Sequence, residues 1–221
     1  DRGFLGNEKI RDVVADVREH TSNVGLAFAT FEETTSNLSE SLSAIDTENG
    51  VVVLPLFLSA HHTLYQTARA AMPEVEGGVQ WAAPFGSSYL SEELLFDRVA
   101  ALSERPGDEA LVVVGYGATD RAGADSITAT LQPAVQRAAE KHGLAGGGEV
   151  VVQYARSASE KASRAAIGRA TKTVKAAASE HERVIVVPYN LGMQYTSMMS
   201  SWSWMKRPLG SIDGVVASGE G

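Results

Sequence analysis

The feature that most constrains this chain is a continuous apolar segment, residues 51–58, that is followed closely by two adjacent histidines, His61 and His62. A Val-rich run of this length, bounded by turn residues, is typical of a strand that is buried on both faces. In an open α/β sheet, ligands bind beyond the carboxyl ends of such strands. The two histidines are therefore the leading candidates for metal binding or proton transfer, and the alternative is a solvated pair of loop histidines.

Further strand patterns alternate with amphipathic helical patterns along the chain. The strand patterns cover residues 24–31, 79–83, 110–117, 150–154 and 184–188, and the helical patterns cover residues 4–19, 34–45, 64–72, 91–102, 125–142 and 159–180. This alternation predicts an α/β fold with mostly parallel sheets flanked by helices. The tail from residue 200 onward loses periodicity.

An internal repeat predicts two similar halves. Residues 52–55 are echoed by residues 185–188, and in both places a helix, a strand and a further helix come before. Aligning the prolines that end these segments places the histidine pair opposite Gln194 and Tyr195, so only the first half has histidines at the strand end. We predict an N-terminal half over residues 1–106 and a C-terminal half over residues 107–221.

The repeat also suggests that one strand of the first half is missing. If Asp1-Arg2 matches Asp120-Arg121, the first half has no counterpart of residues 111–119. A parallel sheet without its central strand would expose apolar surface. We therefore expect this strand to come from residues that precede Asp1 or from elsewhere.

Composition excludes several classes of function. A net charge of −8 and a pI of about 5.2 argue against a general nucleic-acid binder, because no basic stripe is present to neutralise phosphates. The absence of cysteine excludes disulfides and thiolate metal sites. No apolar run reaches the roughly 20 residues of a membrane helix. We expect a cytoplasmic protein without a membrane partner, either a monomer or a homodimer.

Four segments resemble the sirohydrochlorin chelatases, which insert cobalt or iron in cobalamin and siroheme synthesis. Residues 55–62 resemble a strand ending in a metal-binding histidine, and residues 83–98 resemble a proline–hydrophobic–glycine turn with its helix. Residues 110–125 resemble the strand and glycine loop of the second half, and residues 184–193 resemble the last strand. Together the segments span most of residues 1–195, and their order and spacing carry the resemblance.

The sequence also departs from this family. The family begins with a strand that ends in His-Gly-Ser, and the sequence shows no such motif; the equivalent position in the second half is Tyr116. Ala60 stands where the family has a glycine before its second histidine. Which of His61 and His62 carries the histidine role therefore stays open.

The resemblance implies a flavodoxin-like fold in each half and insertion of a divalent metal into a tetrapyrrole. His61 or His62 would be metal ligand and base, and the metal would be Co²⁺ or Fe²⁺, with Ni²⁺ also accepting imidazole. A carboxylate ligand would come from Glu33, whose alternative role is a charge at a helix N-terminus. The residues that would bind substrate carboxylates or the flat ring are Gly115, Tyr116, Gly117, Ser87 and Tyr195.

Each substrate-binding assignment has a structural alternative. Glycine turns between strands and helices are common in α/β proteins, and Ser87 is placed to cap the helix that follows it. At the level of function, the lack of His-Gly-Ser favours a chelatase relative that binds metal or tetrapyrrole without turnover. A third hypothesis is a structural subunit, in which replacing both histidines would change neither metal binding nor activity.

Overall fold

The computed structural model describes residues 4–21, 38–155, 157–189 and 205–218, with side chains of the first helix described from Asp12 onward. The helices are α1 (Phe4–His20), α2 (Leu38–Ser43), α3 (Thr63–Ala70), α4 (Tyr89–Leu102), α5 (Arg121–His142) and α6 (Glu160–Glu180). The strands are β1 (Val51–Val53), β2 (Val79–Trp81), β3 (Glu109–Ala118), β4 (Gly146–Tyr154), β5 (Arg183–Pro188) and β6 (Val215–Ala217). Residues 205–209 are also helical.

The described strands form two parallel sheets, which confirms the α/β prediction. One sheet has the order β4-β3-β5-β6 and the other is the pair β1-β2. Counted along the chain from β3, the larger sheet has the order 2-1-3-4, the doubly wound order of flavodoxin-like folds. The carboxyl ends of its strands therefore share one edge, where a ligand site is expected.

Helices cover both faces of the larger sheet. On one face, side chains of β3 and β5 pack with α4 and α5 in a core that includes Leu111, Val113, Ile185, Val187, Leu95 and Leu131. On the other face, the alternate strand residues pack with α6 and the 205–209 helix in a second core that includes Val112, Val114, Val184, Val186, Val174 and Met205. The continuous Val-rich runs of β3 and β5 follow from this burial on both faces.

A buried carboxylate fixes the opposite, amino edge of this sheet. Glu109 at the start of β3 is fully buried and accepts hydrogen bonds from the Ser103 hydroxyl at 2.5 Å and from the backbone N–H of Glu104 and Arg105 at 3.0 and 3.1 Å. Arg183 at the start of β5 completes the network with an ion pair to Glu109. Burial by itself raises the pKa of Glu109, but these hydrogen bonds outweigh it and lower the pKa to about 2.

The β1-β2 pair resembles the β5-β6 pair in its backbone hydrogen bonds and its register. The N–H of Val51 donates to Gly78 at 3.0 Å, and the N–H of Val184, its repeat counterpart, donates to Gly214 at 2.9 Å. Both glycines adopt a positive φ, +80° and +77°, which suits a residue without Cβ. The two ribbons also start in the same register, Val51 opposite Val79 and Val184 opposite Val215. The division of the chain at residue 106 stays a prediction.

One expectation for β1 is wrong. The segment 51–58 was expected to be buried on both faces, but Val52, Leu54 and Leu56 are 63%, 68% and 44% exposed. The strand itself ends at Val53, although Phe85 and Gly86 still donate to the carbonyls of Pro55 and Phe57. Within the described residues β1 pairs only with β2, so no further strand or helix layer buries these three side chains.

Among the described helices, none is long and apolar enough to cross a membrane. The predicted strand 24–31 lies outside the described residues, as do residues 200–204 and 219–221 of the tail, whereas residues 205–218 of the tail form the short helix, a turn and β6. Helix α2 covers the central part of the predicted helix 34–45.

Candidate functional site

The histidine pair sits on a tight turn that connects the β1 segment to α3. The N–H of His61 donates to the Ser59 hydroxyl oxygen at 3.1 Å, and the N–H of His62 donates to the Ser59 carbonyl at 3.2 Å. Ser59 is 3% exposed, so its side chain is held in place by the surrounding chain. This turn leaves His61 exposed and directs His62 inward.

His62 caps helix α3 with its own ring. The N–H of Leu64 donates to Nδ1 of His62 at 3.1 Å, which satisfies one of the free donors of the first helical turn. The ring packs against Phe57 and Tyr116, with centroid distances of 5.0 and 5.7 Å. Burial lowers the pKa of His62 from 6.5 to about 4, so the imidazole is neutral at physiological pH.

The cap determines where the neutral ring of His62 holds its proton. Because the Nδ1 lone pair accepts from Leu64, the proton must be on Nε2, and Nε2 is then a donor rather than a metal ligand. Binding a metal through either nitrogen would need a tautomer change or loss of the cap. Of the two histidines, the geometry favours exposed His61 as the ligand.

Gly117 is the point where the end of β3 meets the histidine turn. Its φ is +114°, and a Cβ at this position would lie 2.1 Å from Cδ2 of His62. Only glycine allows both the backbone conformation and the contact. The structure thus brings together His62, Tyr116 and Gly117, three of the residues that the sequence predicted for one site from distant parts of the chain.

Gly115 lies further inside the fold. It pairs with Val152 in the β3-β4 ladder, and a Cβ there would meet Leu131 at 2.8 Å and Ile127 at 3.3 Å. The absence of a side chain at Gly115 therefore leaves room for Leu131 and Ile127 of α5 to pack on β3. Its predicted role toward a substrate carboxylate is untested.

Ser87 lies on the turn that follows the β1-β2 ribbon. The preceding Gly86 packs so closely that a Cβ would lie 1.9 Å from the Leu58 carbonyl oxygen, which places the turn beside the segment leading to the histidines. Ser88, not Ser87, is the N-cap residue of α4, and Ser87 is exposed. The capping alternative is thus wrong for Ser87, and its substrate-binding role stays a prediction.

Two predicted site residues, Glu33 and Tyr195, lie outside the described residues. In the part of the chain that the structure does describe, no group of three or more His, Asp or Glu side chains is arranged to hold a metal ion.

Sequence reasoning missed a second feature of the carboxyl edge. Arg98 on α4 donates through Nη1 to the carbonyl of Pro188 at 2.7 Å, at the end of β5. The neighbouring Tyr189 is 1% exposed, and burial raises the pKa of its hydroxyl. An arginine on an otherwise amphipathic helix gives no sequence signal for a contact with a strand 90 residues away.

No family model, curated protein or solved structure matches this chain. The candidate site therefore has to be interpreted from its own residues.

Proposed function

We propose that this chain inserts a divalent metal, Co²⁺ or Fe²⁺ and secondarily Ni²⁺, into a sirohydrochlorin-like tetrapyrrole. The single observation that carries the proposal is the junction of the His61-His62 turn with Tyr116 and Gly117. Two segments that the sequence predicted for one site meet here, the turn that follows the β1 segment and the carboxyl end of β3, with the His62 and Tyr116 rings 5.7 Å apart. This is the part of an open α/β fold where ligands bind.

The two histidines take different roles in this proposal. His61, exposed on its turn, holds the metal substrate through imidazole, a ligand that suits cobalt, iron and nickel. His62 is a positioning residue, because its ring caps α3 and packs against Gly117. It holds the turn that presents His61.

Insertion releases the two protons of the pyrrole nitrogens as the metal takes their place. The imidazole of His61, freed when the metal passes to the macrocycle, accepts one proton, and solvent accepts the other. Neutral His62 is a weak base at physiological pH because its pKa is about 4, which supports His61 as the acceptor. Ser87 and the Tyr116-Gly117 loop would contact substrate carboxylates.

The second candidate function is binding of metal or tetrapyrrole without turnover. It is favoured by one specific observation: among the described residues, no set of three metal-capable side chains surrounds His61. In either case we place the protein in the cytoplasm as a monomer or homodimer.

The test is a metal-insertion assay with purified protein, sirohydrochlorin and Co²⁺ or Fe²⁺, following tetrapyrrole absorption against the uncatalysed rate. We expect acceleration that His61→Ala abolishes. His62→Asn, which keeps a helix-capping side chain, should retain more activity than His62→Ala. The matched control is His20→Ala, since His20 is exposed and its Nδ1 lies 2.7 Å from the Asp16 carbonyl in its own helix.

Two outcomes would overturn the enzyme proposal. If no acceleration is seen while metal or tetrapyrrole still binds, the chain is a binding module. If neither binds and the His61→Ala variant is indistinguishable from wild type, the structural-subunit hypothesis stands instead.

A further inference from the structure

Two apolar surfaces of this protein are exposed at the same time. The first, which we term the β1 face, consists of Val52, Leu54 and Leu56, which are 63%, 68% and 44% exposed. The second is the apolar side of α1, where Val13 and Val17 are 59% and 43% exposed. Removing large aliphatic side chains from water is favourable, so an element that covered either surface would stabilise the protein.

The internal repeat aligns the residues of the β1 face with residues of the β5 segment. Aligning Pro55 with Pro188 places Val52, Leu54 and Leu56 opposite Ile185, Val187 and Tyr189. The matching hydrogen bonds of the two ribbons support this alignment, since Ala82 donates to Val53 just as Ser218 donates to Val186. The three counterparts on β5 are 0%, 0% and 1% exposed.

Helices α4 and α5 are the elements that bury the counterpart face. Ile185, Val187 and Tyr189 belong to one core with Leu95 and Val99 of α4 and with Ile127, Leu131 and Val135 of α5. In the second half, the chain passes from α5 through β4 and α6 to β5, the strand that ends at Pro188. The helix in the same place in the first half is α1.

Helix α1 has the pattern of a helix that packs on a sheet. Ile10, Val13, Val14 and Val17 recur at helical spacing, and the remaining residues from Asp12 to His20 are exposed and mostly charged or polar. Most of the stability of a helix in a protein comes from packing of its apolar side, and α1, with 17 residues, exposes Val13 and Val17 of that side.

We propose that α1 packs its apolar side onto the β1 face, in the place that α5 takes over β5. In the structure both surfaces are exposed, so docking would bury both at once. The docked helix would cover the strand segment that leads to the His61-His62 turn.

The size of the β1 face favours α1 of the same chain over a second copy. Three partly exposed aliphatic side chains amount to at most a few hundred Å², whereas a standard interface buries roughly 800 Å² on each partner. A tethered helix needs less area, because the linker replaces free diffusion with a high effective concentration. Residues 21–50 join α1 to β1 and are long enough to allow the approach.

The chain contains no cysteine, so paired cysteines report single contacts. The test is oxidation of Val17→Cys/Leu54→Cys at low protein concentration, read on non-reducing gels and by peptide mass mapping. The matched control is Glu19→Cys/Leu54→Cys, because Glu19 lies about 200° around the helix from Val17. All three positions are exposed, so the substitutions should not disturb a core.

We expect an intrachain disulfide in the Val17 pair at a rate at least about tenfold above the Glu19 pair. A disulfide-linked dimer as the main product would show that a second copy occupies the face. Equal rates in the two pairs, or no disulfide in either, would overturn the proposal as well. Hydrogen exchange of residues 12–20 is an independent measurement. If α1 docks on the β1 face, Leu54→Asp should speed this exchange. If α1 does not dock, the substitution should leave the exchange unchanged.

Discussion

At the scale of single residues, His62 shows how one buried side chain can hold a site together. Its imidazole caps α3 through Nδ1, packs against Phe57 and Tyr116, and occupies the space that a side chain at position 117 would need. All three roles use the neutral ring. Protonation would turn Nδ1 into a donor facing the Leu64 N–H, and it would place a charge in an apolar setting.

His62 therefore makes the stability of the metal-free protein depend on pH. The unfolded imidazole binds its proton near pH 6.5 and the folded one only near pH 4, so protons favour the unfolded state between these values. The contribution of His62 is fully present above pH 6.5 and falls by up to about 3 kcal/mol as pH drops to 4. Urea unfolding at stepped pH values should show a smaller loss across this window in His62→Asn. Equal losses in the two proteins would contradict the assignment.

Glu109 is a second residue on which the fold depends. Its buried carboxylate accepts from Ser103, from two backbone N–H groups and from Arg183, which is itself only 11% exposed. Glu109→Gln leaves the Arg183 charge without this partner, and we expect the free energy of unfolding to fall by about 3 kcal/mol. The control is Glu104→Gln, which removes a 74% exposed partner of Arg183 and should cost less than about 1 kcal/mol.

The pH dependence of the Glu109 network has the sign expected for a carboxylate with a lowered pKa. Its contribution is complete above the unfolded pKa of 4.5 and is lost as pH falls to about 2. The difference in stability between wild type and Glu109→Gln should therefore shrink across that range. A difference that stays constant from pH 5 to 2 would show that the carboxylate is not ionised in the folded protein.

At the scale of elements, one glycine in β3 and one in α6 test how the space around a glycine determines the effect of adding a side chain. Gly117→Ala would force a Cβ into the His62 ring at a φ of +114°, and we expect it to cost at least about 2 kcal/mol and to weaken the α3 cap. Gly168→Ala lies in α6 with no atom within 4 Å of its Cβ, so it should stabilise the protein by about 0.5–1 kcal/mol. Thermal unfolding of both variants measures the contrast.

At the scale of the whole molecule, the two sheets differ in how well they are covered. The four-stranded sheet has helices on both faces, whereas the two-stranded sheet exposes the β1 face. Two-stranded sheets are at best marginally stable by themselves. We predict that amides of Val51–Val53 exchange through local opening, several kcal/mol below the free energy for Val112–Val114. Hydrogen-exchange mass spectrometry would contradict this prediction if both segments were equally protected.

The sequence by itself determined the alternation of strands and helices, the parallel α/β class and the position of the histidines after a strand. These follow from periodicity and turn chemistry, which act over a few residues. The repeat of a Val–Pro strand was also visible, and the shared starting register of β1-β2 and β5-β6 agrees with it. The expectation that the β1 segment is buried on both faces was wrong, because burial depends on which strands and helices pack beside a strand.

Only the tertiary structure decided that His61 is exposed and that His62 caps α3. His61 and His62 are adjacent in the sequence, and no local pattern separates them. The distinction arises because Gly117, near the end of β3 and about 55 residues further along the chain, lies against the His62 ring. The burial of Glu109 and the contact of Arg98 with Pro188 are long-range in the same way. Such contacts depend on the packing of distant elements, which local sequence patterns do not encode.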